Sequence, residues 1–441
     1  MAWPVILAFI FCGTCCFAQA DLANKYRAGM IPTFVKYAKI GSMSDDNAEW
    51  MTPGQEKMAQ VLYEDVKALG FPTHFSADKY IYVNIPSNLG YDAPVLGISA
   101  HYDTTPDING NGIRPRVIQN YKGKIIDLTP QETDPTKKKV IDPAQDTYLQ
   151  RMIGKTIVVE EGGNTNLGAD DKAGVTIVMT LLKTLAQNPN FKHGPIQVVL
   201  TPNEDVGRSA ERLELEYYHP DYAFDFDAGV DGEVIVENFT AEKILVTVHG
   251  INGHQSFAAQ NGYRNSSAPA AYIITQMARV EDLPNHSEGE AGYIEPHHTT
   301  YNPENNTTTV DFRLRYFDKK DGTRWHTRLA TAVLEATMRY DVKIDVDNVV
   351  QYDNVANGVK ANAKELTAAA MSEAGITPNF KKERAGTTSA MIMAKHGFGG
   401  YTVFTGQNNP HAFTEWLSEE DMFNGYKVAL YLIKEVSALQ K

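Results

Sequence analysis

The sequence predicts an α/β protein in which an open, mostly parallel sheet is interrupted by a smaller inserted α+β unit. Two observations predict it. Up to about Glu237, and again after about Asp353, short apolar runs alternate with stretches of helical periodicity, the pattern of β-α repeats that build a parallel sheet. Between those limits the rhythm becomes strand, helix, strand, strand, helix, strand, the order of a ferredoxin-like unit. The expected division is a leader over 1–20, a main domain over 21–237 that resumes over 353–441, and an insert over 238–352. A chain of 441 residues suits two domains better than one, because single cores stop growing well short of that length.

The elements follow in order. Up to Gly70 the spacing is helical: in "EKMAQVLYEDVKALG" the apolar Met58, Val61, Leu62, Val66 and Leu69 recur at three and four, and Gly70 closes the helix. "YIYVNIPS" and "APVLGISAH" read as strands. The stretch from Pro106 to Arg151 is rich in Asp, Lys, Pro and Asn, lacks periodicity, and reads as an irregular surface excursion. A helix is expected over Lys172–Gln187, with Val175, Val178, Leu182 and Leu185 on one face, and "IQVVL" and "YAFDFDAG" are the next strands. In the insert, "KILVTVHG" is a strand, "APAAYIITQMARV" a helix, Gly292–Tyr301 a strand, "TTTVDFRLRYF" an alternating strand, "TRWHTRLATAVLEATMRY" a helix and "DVKIDVDNVV" a strand. The main domain resumes with the helix "AKELTAAAMSEAG", the strand "YTVFTG" and a last helix near Met422–Ala438.

Composition narrows the function. A formal charge of −13, with no long basic run, argues against a partner such as nucleic acid or anionic lipid, and Lys137-Lys138-Lys139 reads as a solvated loop. The opening segment "MAWPVILAFIFCGTCCFAQA" is uncharged, apolar from Val5 to Phe11 and ends in Ala18-Gln19-Ala20, a signal-peptide pattern cut before Asp21. An exported mature chain, periplasmic or secreted, is therefore expected; a lipoprotein would need a leucine ahead of Cys15 or Cys16. Cys12, Cys15 and Cys16 are the chain's only cysteines, so disulfides and thiolate chemistry would leave with the leader. No later stretch approaches the roughly 20 apolar residues of a membrane span.

Ligands of open α/β sheets bind beyond the carboxyl ends of the strands. Five stretches place metal-type or acid–base residues at that edge: "SAHYDTT" with His101 and Asp103, "LGADDKAG" with Asp170 and Asp171, "TPNEDVG" with Glu204 and Asp205, "FDFDAG" with Asp227, and "GQNNPHAF" with His411. Each alone fits a turn or a helix cap; turn chemistry does not account for five at one edge. Imidazole and carboxylate without thiolate suit Zn²⁺, with Co²⁺ or Mn²⁺ as alternatives. Acids crowded into one cleft stay ionised only when cations neutralise them. In an adjacent acid pair such as Glu204-Asp205, one member can coordinate while the other stays free as a general base. The chain has no H-E-x-x-H, G-x-S-x-G or G-x-x-x-x-G-K-[ST].

Taken together, "SAHYDTTPD", "NLGADDKAG", "LTPNEDVGR", "FDAGVDGE", "VENFTAEKILVTVHGINGH", "RLRYFD" and "VFTGQNNPHAFTEW" resemble the M20 family of dinuclear zinc peptidases, in its tripeptide-aminopeptidase branch, over nearly the whole mature chain. The resemblance implies a zinc-peptidase catalytic domain with the insert as its lid, two Zn²⁺, and hydrolysis of the N-terminal bond of short peptides, tripeptides foremost, by a monomer or homodimer. It implies that His101 and Asp227 hold one metal, Asp205 and His411 the other, and that Asp170 bridges both. Glu204 would be the base and Asp103 would orient His101; Arg315 would grip a substrate carboxylate and His254 would close over the scissile carbonyl. Three departures touch the substrate side. Asp205 stands where the family usually has Glu, His254-Gln255-Ser256 replaces H-P-G, and the Arg384–Ser389 segment "RAGTTS" replaces R-G-G-T-D-G. Two other readings of these residues are a related dipeptidase, carboxypeptidase or N-acyl-amino-acid amidohydrolase, and an exported peptide-binding protein without catalysis.

Overall fold

The computed structural model describes the backbone of residues 7–441 and the side chains of residue 19 and of residues 21–441. The leader expected over 1–20 lies outside the described residues, apart from the helical backbone of 7–20 and the side chain of Gln19. The helices are α1 (Leu7–Ala38), α2 (Pro53–Lys67), α3 (Ala169–Gln187), α4 (Ala258–Asn261), α5 (Ser267–Met277), α6 (Lys319–Tyr340), α7 (Ala363–Glu373), α8 (Thr388–His396) and α9 (Glu419–Ser437).

The large sheet is built from β1 (Thr73–Phe75), β2 (Ile81–Ile85), β3 (Leu96–His101), β8 (Ile196–Thr201), β9 (Tyr222–Ala228), β10 (Glu233–Asn238), β15 (Asn379–Glu383) and β16 (Gly400–Phe404), in the order β1-β2-β8-β3-β9-β16-β10-β15. Strands β8, β3, β9 and β16 run parallel at its centre. Strands β2 and β10 flank them antiparallel, and β15 runs parallel to β10 at the edge. Every residue of β3 is buried, as in a parallel strand covered on both faces. One face carries the main core, with α1, α2, α3, α7 and α9 packed on it. The other carries Tyr80, Tyr82 and Val199 against Met391 and Ile392 of α8.

The excursion over 106–151 is more ordered than its composition implies. It contains β4 (Pro115–Ile118) and the short pair β5 (Ile126–Asp127) and β6 (Val140–Ile141). Strand β4 joins β7 (Ile157–Glu160), β17 (Gln407–Asn408) and β18 (Trp416–Ser418) in a second sheet of order β17-β18-β7-β4. Its apolar residues stand singly or in pairs among polar ones, so no period marks them; Tyr121, Ile126, Leu128 and Leu149 find their partner in the distant Trp416. This small core fixes the loop between β17 and β18, which carries His411.

The segment after Asn238 forms an antiparallel sheet from β11 (Thr240–His249), β12 (Tyr293–Asn302), β13 (Thr307–Tyr316) and β14 (Lys343–Tyr352), in the order β12-β13-β11-β14. Helices α5 and α6 cover one face through Ile244, Val246, Phe312, Leu314, Trp325 and Leu329. On the other face Lys243, Asp347 and Val349 look across a cleft at Arg208 and Met391 of the main domain. Where the chain crosses between the two units, its two passes are tied together. The Asn238 amide donates to Asp353 O (3.0 Å) and accepts from Val355 N (3.0 Å), and Thr240 Oγ1 donates to Asp353 Oδ1 (2.6 Å).

Candidate metal centre

The carboxyl edge of the central strands assembles the site. His101 is the last residue of β3, Asp227 lies near the end of β9, Asp170 opens α3, and Glu204 and Asp205 follow β8 by a short turn. His411 comes from the β17–β18 loop with φ 55°, in the left-handed region. Gly174 lets α3 lie against β9, since a Cβ there would stand 1.9 Å from Phe226 O. That close approach brings Asp170 beside Asp227.

Asp170 presents its two oxygens to two different histidines. Oδ1 lies 3.0 Å from His101 Nε2 and Oδ2 lies 3.2 Å from His411 Nε2. Asp227 Oδ1 is 3.6 Å from His101 Nε2, and Asp205 Oδ1 is 2.8 Å from His411 Nε2. Among the described residues three groups of donors have their ligand atoms within 4.8 Å of one another: the triads His101/Asp170/Asp227 and Asp170/Asp205/His411 share Asp170, and a third group joins His101 and Asp205 to Asp103. Glu204 is in neither triad, and its Oε2 reaches only to 3.9 Å from His101 Nε2.

Several residues hold these donors in place. Asp103 faces His101 Nδ1 at 3.3 Å and accepts the backbone N–H groups of Glu204 (3.0 Å) and Asp205 (3.2 Å), so one carboxylate aims both a histidine and the acid pair. Asp171 does not join the cluster: it is fully buried, accepts His101 N (3.2 Å) and Gly174 N (3.0 Å), and follows Asp170 across a cis peptide bond. Two further groups are not marked by the sequence pattern. Glu415 accepts the N–H groups of Leu167 (2.7 Å), Gly168 (2.8 Å) and Asp170 (2.9 Å), fixing the turn that delivers Asp170. Gln407 Nε2 donates to Asp227 O (2.8 Å) and approaches its Oδ1 (3.3 Å).

The electrostatics agree with a cation site. Burial and the neighbouring Asp170 push Asp205 up to about 6; burial, with Asp170 again contributing, pushes Asp227 up to about 7. Burial likewise lifts Glu204 well above the usual carboxylate range. Burial would raise Asp170 too, but hydrogen bonds from His101 and His411 outweigh it and hold it below that range. His411, bonded to Asp170 and Asp205, is pushed up to about 11. Asp205 Oδ2 is buried with no hydrogen-bond partner among the described residues. An unpartnered carboxylate oxygen among crowded acids and imidazoles fits a divalent cation, which neutralises the acids and takes that lone pair. The donor set is all nitrogen and oxygen, as Zn²⁺, Co²⁺ and Mn²⁺ accept.

A cavity of about 570 Å³ opens over these groups, walled by Asp170, Glu204, Asp205, Asp227 and His411 on one side and by Gln351 and Tyr352 of β14 on the other. The 384–389 segment contributes Ala385, Gly386 and Thr387 to its wall, while Arg384 turns away to Ser287 Oγ (2.7 Å). Arg315 stands behind the β14 wall, donating to Gln351 Oε1 (3.3 Å) with its guanidinium 5.4 Å from the centre of the Tyr352 ring. The structure does not bring His254 to the site. It is exposed, accepts Ser256 N at 3.3 Å, and does not line the cavity.

Comparison with known proteins agrees with the fold. Residues 168–435 match Peptidase family M20/M25/M40. The chain is 31% identical over 413 residues to Peptidase T of Halothermothrix orenii, covering 92% of this chain and 98% of that one. Among solved structures it resembles the aminopeptidase PepT from Bacillus cereus (TM-score 0.68, 19% identity, 93% and 98% coverage). It also resembles a tripeptidase from Staphylococcus aureus (TM-score 0.67, 18% identity, 94% and 99% coverage). The class is that of the metallo-aminopeptidases. The chain belongs to peptidase family M20.

Proposed function

We propose that this enzyme holds two divalent cations, zinc foremost, and removes the N-terminal residue from short peptides, tripeptides above all. The observation that carries the reading is the division of Asp170 between two histidines, which suits a carboxylate shared by two ions. His101, Asp227 and Asp170 would hold one, and Asp205, His411 and Asp170 the other. Bound there, such ions acidify a water and take up charge that develops on a carbonyl oxygen.

The protein's own groups do the rest. Glu204, outside both triads and half-buried at the cavity wall, takes a proton from the attacking water and hands it to the departing amine. Asp103 keeps His101 Nδ1 hydrogen-bonded, so that Nε2 faces the site. Arg315 does not line the cavity, and it meets the peptide's carboxylate only if Gln351 and Tyr352 move aside as the peptide binds. His254, exposed at the far end of β11, reaches a substrate carbonyl only if the insert closes as a lid, which also excludes water from the reaction. Among the described residues no helix is long and apolar enough to cross a membrane. Export after cleavage before Asp21 rests on the uncharged, apolar leader sequence.

The test combines metal analysis with a panel of di-, tri- and tetrapeptides carrying free or blocked ends. Two ions per chain are expected, with activity lost to a chelator and restored by Zn²⁺, Co²⁺ or Mn²⁺. Cleavage should require a free N-terminus; rapid turnover of N-blocked peptides would overturn the aminopeptidase reading. Glu204→Gln should keep metal and substrate binding and lose about 10²–10⁴-fold in turnover. Undiminished turnover would place the base elsewhere.

A further inference from the structure

Gln407 lines the cavity, and its Oε1, buried behind that lining, is an acceptor that the mechanism above does not use. Gln407 is 5% exposed, and its Oε1 has no hydrogen-bond partner among the described residues. The amide's orientation is set by chemistry. Its nitrogen faces Asp227 O and Oδ1, both acceptors, so the oxygen is the atom left over. A buried carbonyl of this kind is costly to leave unpaired, and a donor that enters the cavity is drawn to it.

Its position limits what that donor is. Gln407 is bonded to Asp227, so it lies within one amino-acid residue's reach of the metal-type triad. In an aminopeptidase substrate, the group one bond beyond the α-carbon of the scissile acyl unit is the free α-ammonium. The surroundings favour a cation. Glu233 and Glu383 line the same cavity. A Cβ built on Gly229 would lie 2.9 Å from Glu233 Oε2 and 3.7 Å from the main-chain O of Gln407, so the acid and the backbone of the glutamine flank one glycine-floored recess. Lys381 pairs with Glu233 Oε1, leaving Oε2 with the Val230 N–H at 3.3 Å.

We propose that Gln407 Oε1, backed by Glu233, receives the α-ammonium of the substrate and so selects for a free N-terminus. The proposal rests on the aminopeptidase reading and assigns the residue that enforces it. The probe is a pair of metal-directed inhibitors that differ only in the amine, alanine hydroxamate and propionohydroxamate. Their inhibition constants are measured on the metal-loaded wild type and on Gln407→Met and Gln407→Glu, with metal content measured in each.

The wild type should favour the amine-bearing compound. Gln407→Met has nearly the same length and only a weakly accepting thioether, and should lose about ten- to hundredfold of that preference. Gln407→Glu, which restores an acceptor, should keep it. Both variants give up the amide bond to Asp227; that loss weakens both hydroxamates alike and leaves their ratio unmoved. An unchanged ratio in Gln407→Met, or a ratio lost equally in Gln407→Glu, would overturn the assignment. A wild type that does not discriminate at all would instead overturn the aminopeptidase reading itself.

Discussion

At the scale of single residues, the position of Asp170 is inherited from Glu415. The carboxylate of Glu415 is fully buried and takes three backbone N–H groups from the turn ahead of Asp170, leaving no freedom in where that side chain starts. Glu415→Gln replaces one acceptor oxygen with an NH₂ group that must face at least one of those donors, and an unpaired buried donor costs about 1–3 kcal/mol. The expected result is a loss of about ten- to hundredfold in metal affinity, measured by competition with a chelating dye, with turnover recovering as metal is supplied in excess. Undiminished affinity would mean that the turn holds its shape without Glu415. The contrast with the donors explains what a sequence can reveal about such a site. His101, Asp170, Asp205, Asp227 and His411 announce themselves by residue type at strand ends. Glu415 and Gln407 work through backbone atoms and a neighbour's carboxylate brought close only by folding; both stand inside "VFTGQNNPHAFTEW", but their residue types there do not announce a role.

At the scale of elements, what was legible followed the strength of the local period. Strands β2, β3, β8 and β9 and helices α3 and α9 are long apolar runs or clear stripes. Strands β10 and β15 set charged residues among their apolar ones, helix α8 is short, and β4 earns its place only by pairing with β7. The strands and helices after Asn238 were legible because most are long and β11 and β13 alternate cleanly, and Glu242 shows how they are joined. Buried on β11, Glu242 accepts from Tyr316 Oη on β13, from Asn348 Nδ2 on β14 (2.6 Å), and pairs with His326 Nε2 on α6 (2.8 Å). Burial opposes the charge on Glu242, but bonds from His326, Tyr316 and Asn348 win and hold it below the usual range; the bond to Glu242 in turn lifts His326. The signs give a window. The His326 contribution is present below the unfolded imidazole value of about 6.5 and fades as pH rises through its raised folded value. The Glu242 contribution is present above the unfolded carboxyl value of about 4.3 and fades as pH falls through its lowered one. Thermal melts should therefore show His326→Gln furthest below wild type near pH 5 to 6, with the gap closing toward alkaline pH. A gap that widens with pH would mean that the imidazole is held neutral.

At the scale of the whole molecule, the cavity belongs to neither unit alone. The triads lie on the main domain, whereas Gln351, Tyr352 and the Arg315 behind them lie on the insert, and the two passes between the units are bound to each other at Asn238 and Asp353. A peptide held at one end by the metal side and at the other by Arg315 would draw the units together about that tied crossing, so its length would be measured by the gap between them. Arg315→Met removes the charge and keeps most of the side chain's bulk. A hydrogen bond to a charged group contributes about 1.5–3 kcal/mol, so kcat/KM for tripeptides with a free carboxylate should fall about ten- to hundredfold. Binding energy spent on closure is lost with it, so kcat should fall as well as KM rise. C-terminally amidated tripeptides never engage the guanidinium charge, and their kcat/KM should change little. The diagnostic quantity is the ratio between the free and amidated substrates, which a general disturbance of the insert leaves untouched. If that ratio survives in Arg315→Met, the carboxylate is gripped elsewhere. Lys381 is then the next group to test, since it is a cation lining the same cavity, tethered by its pair with Glu233.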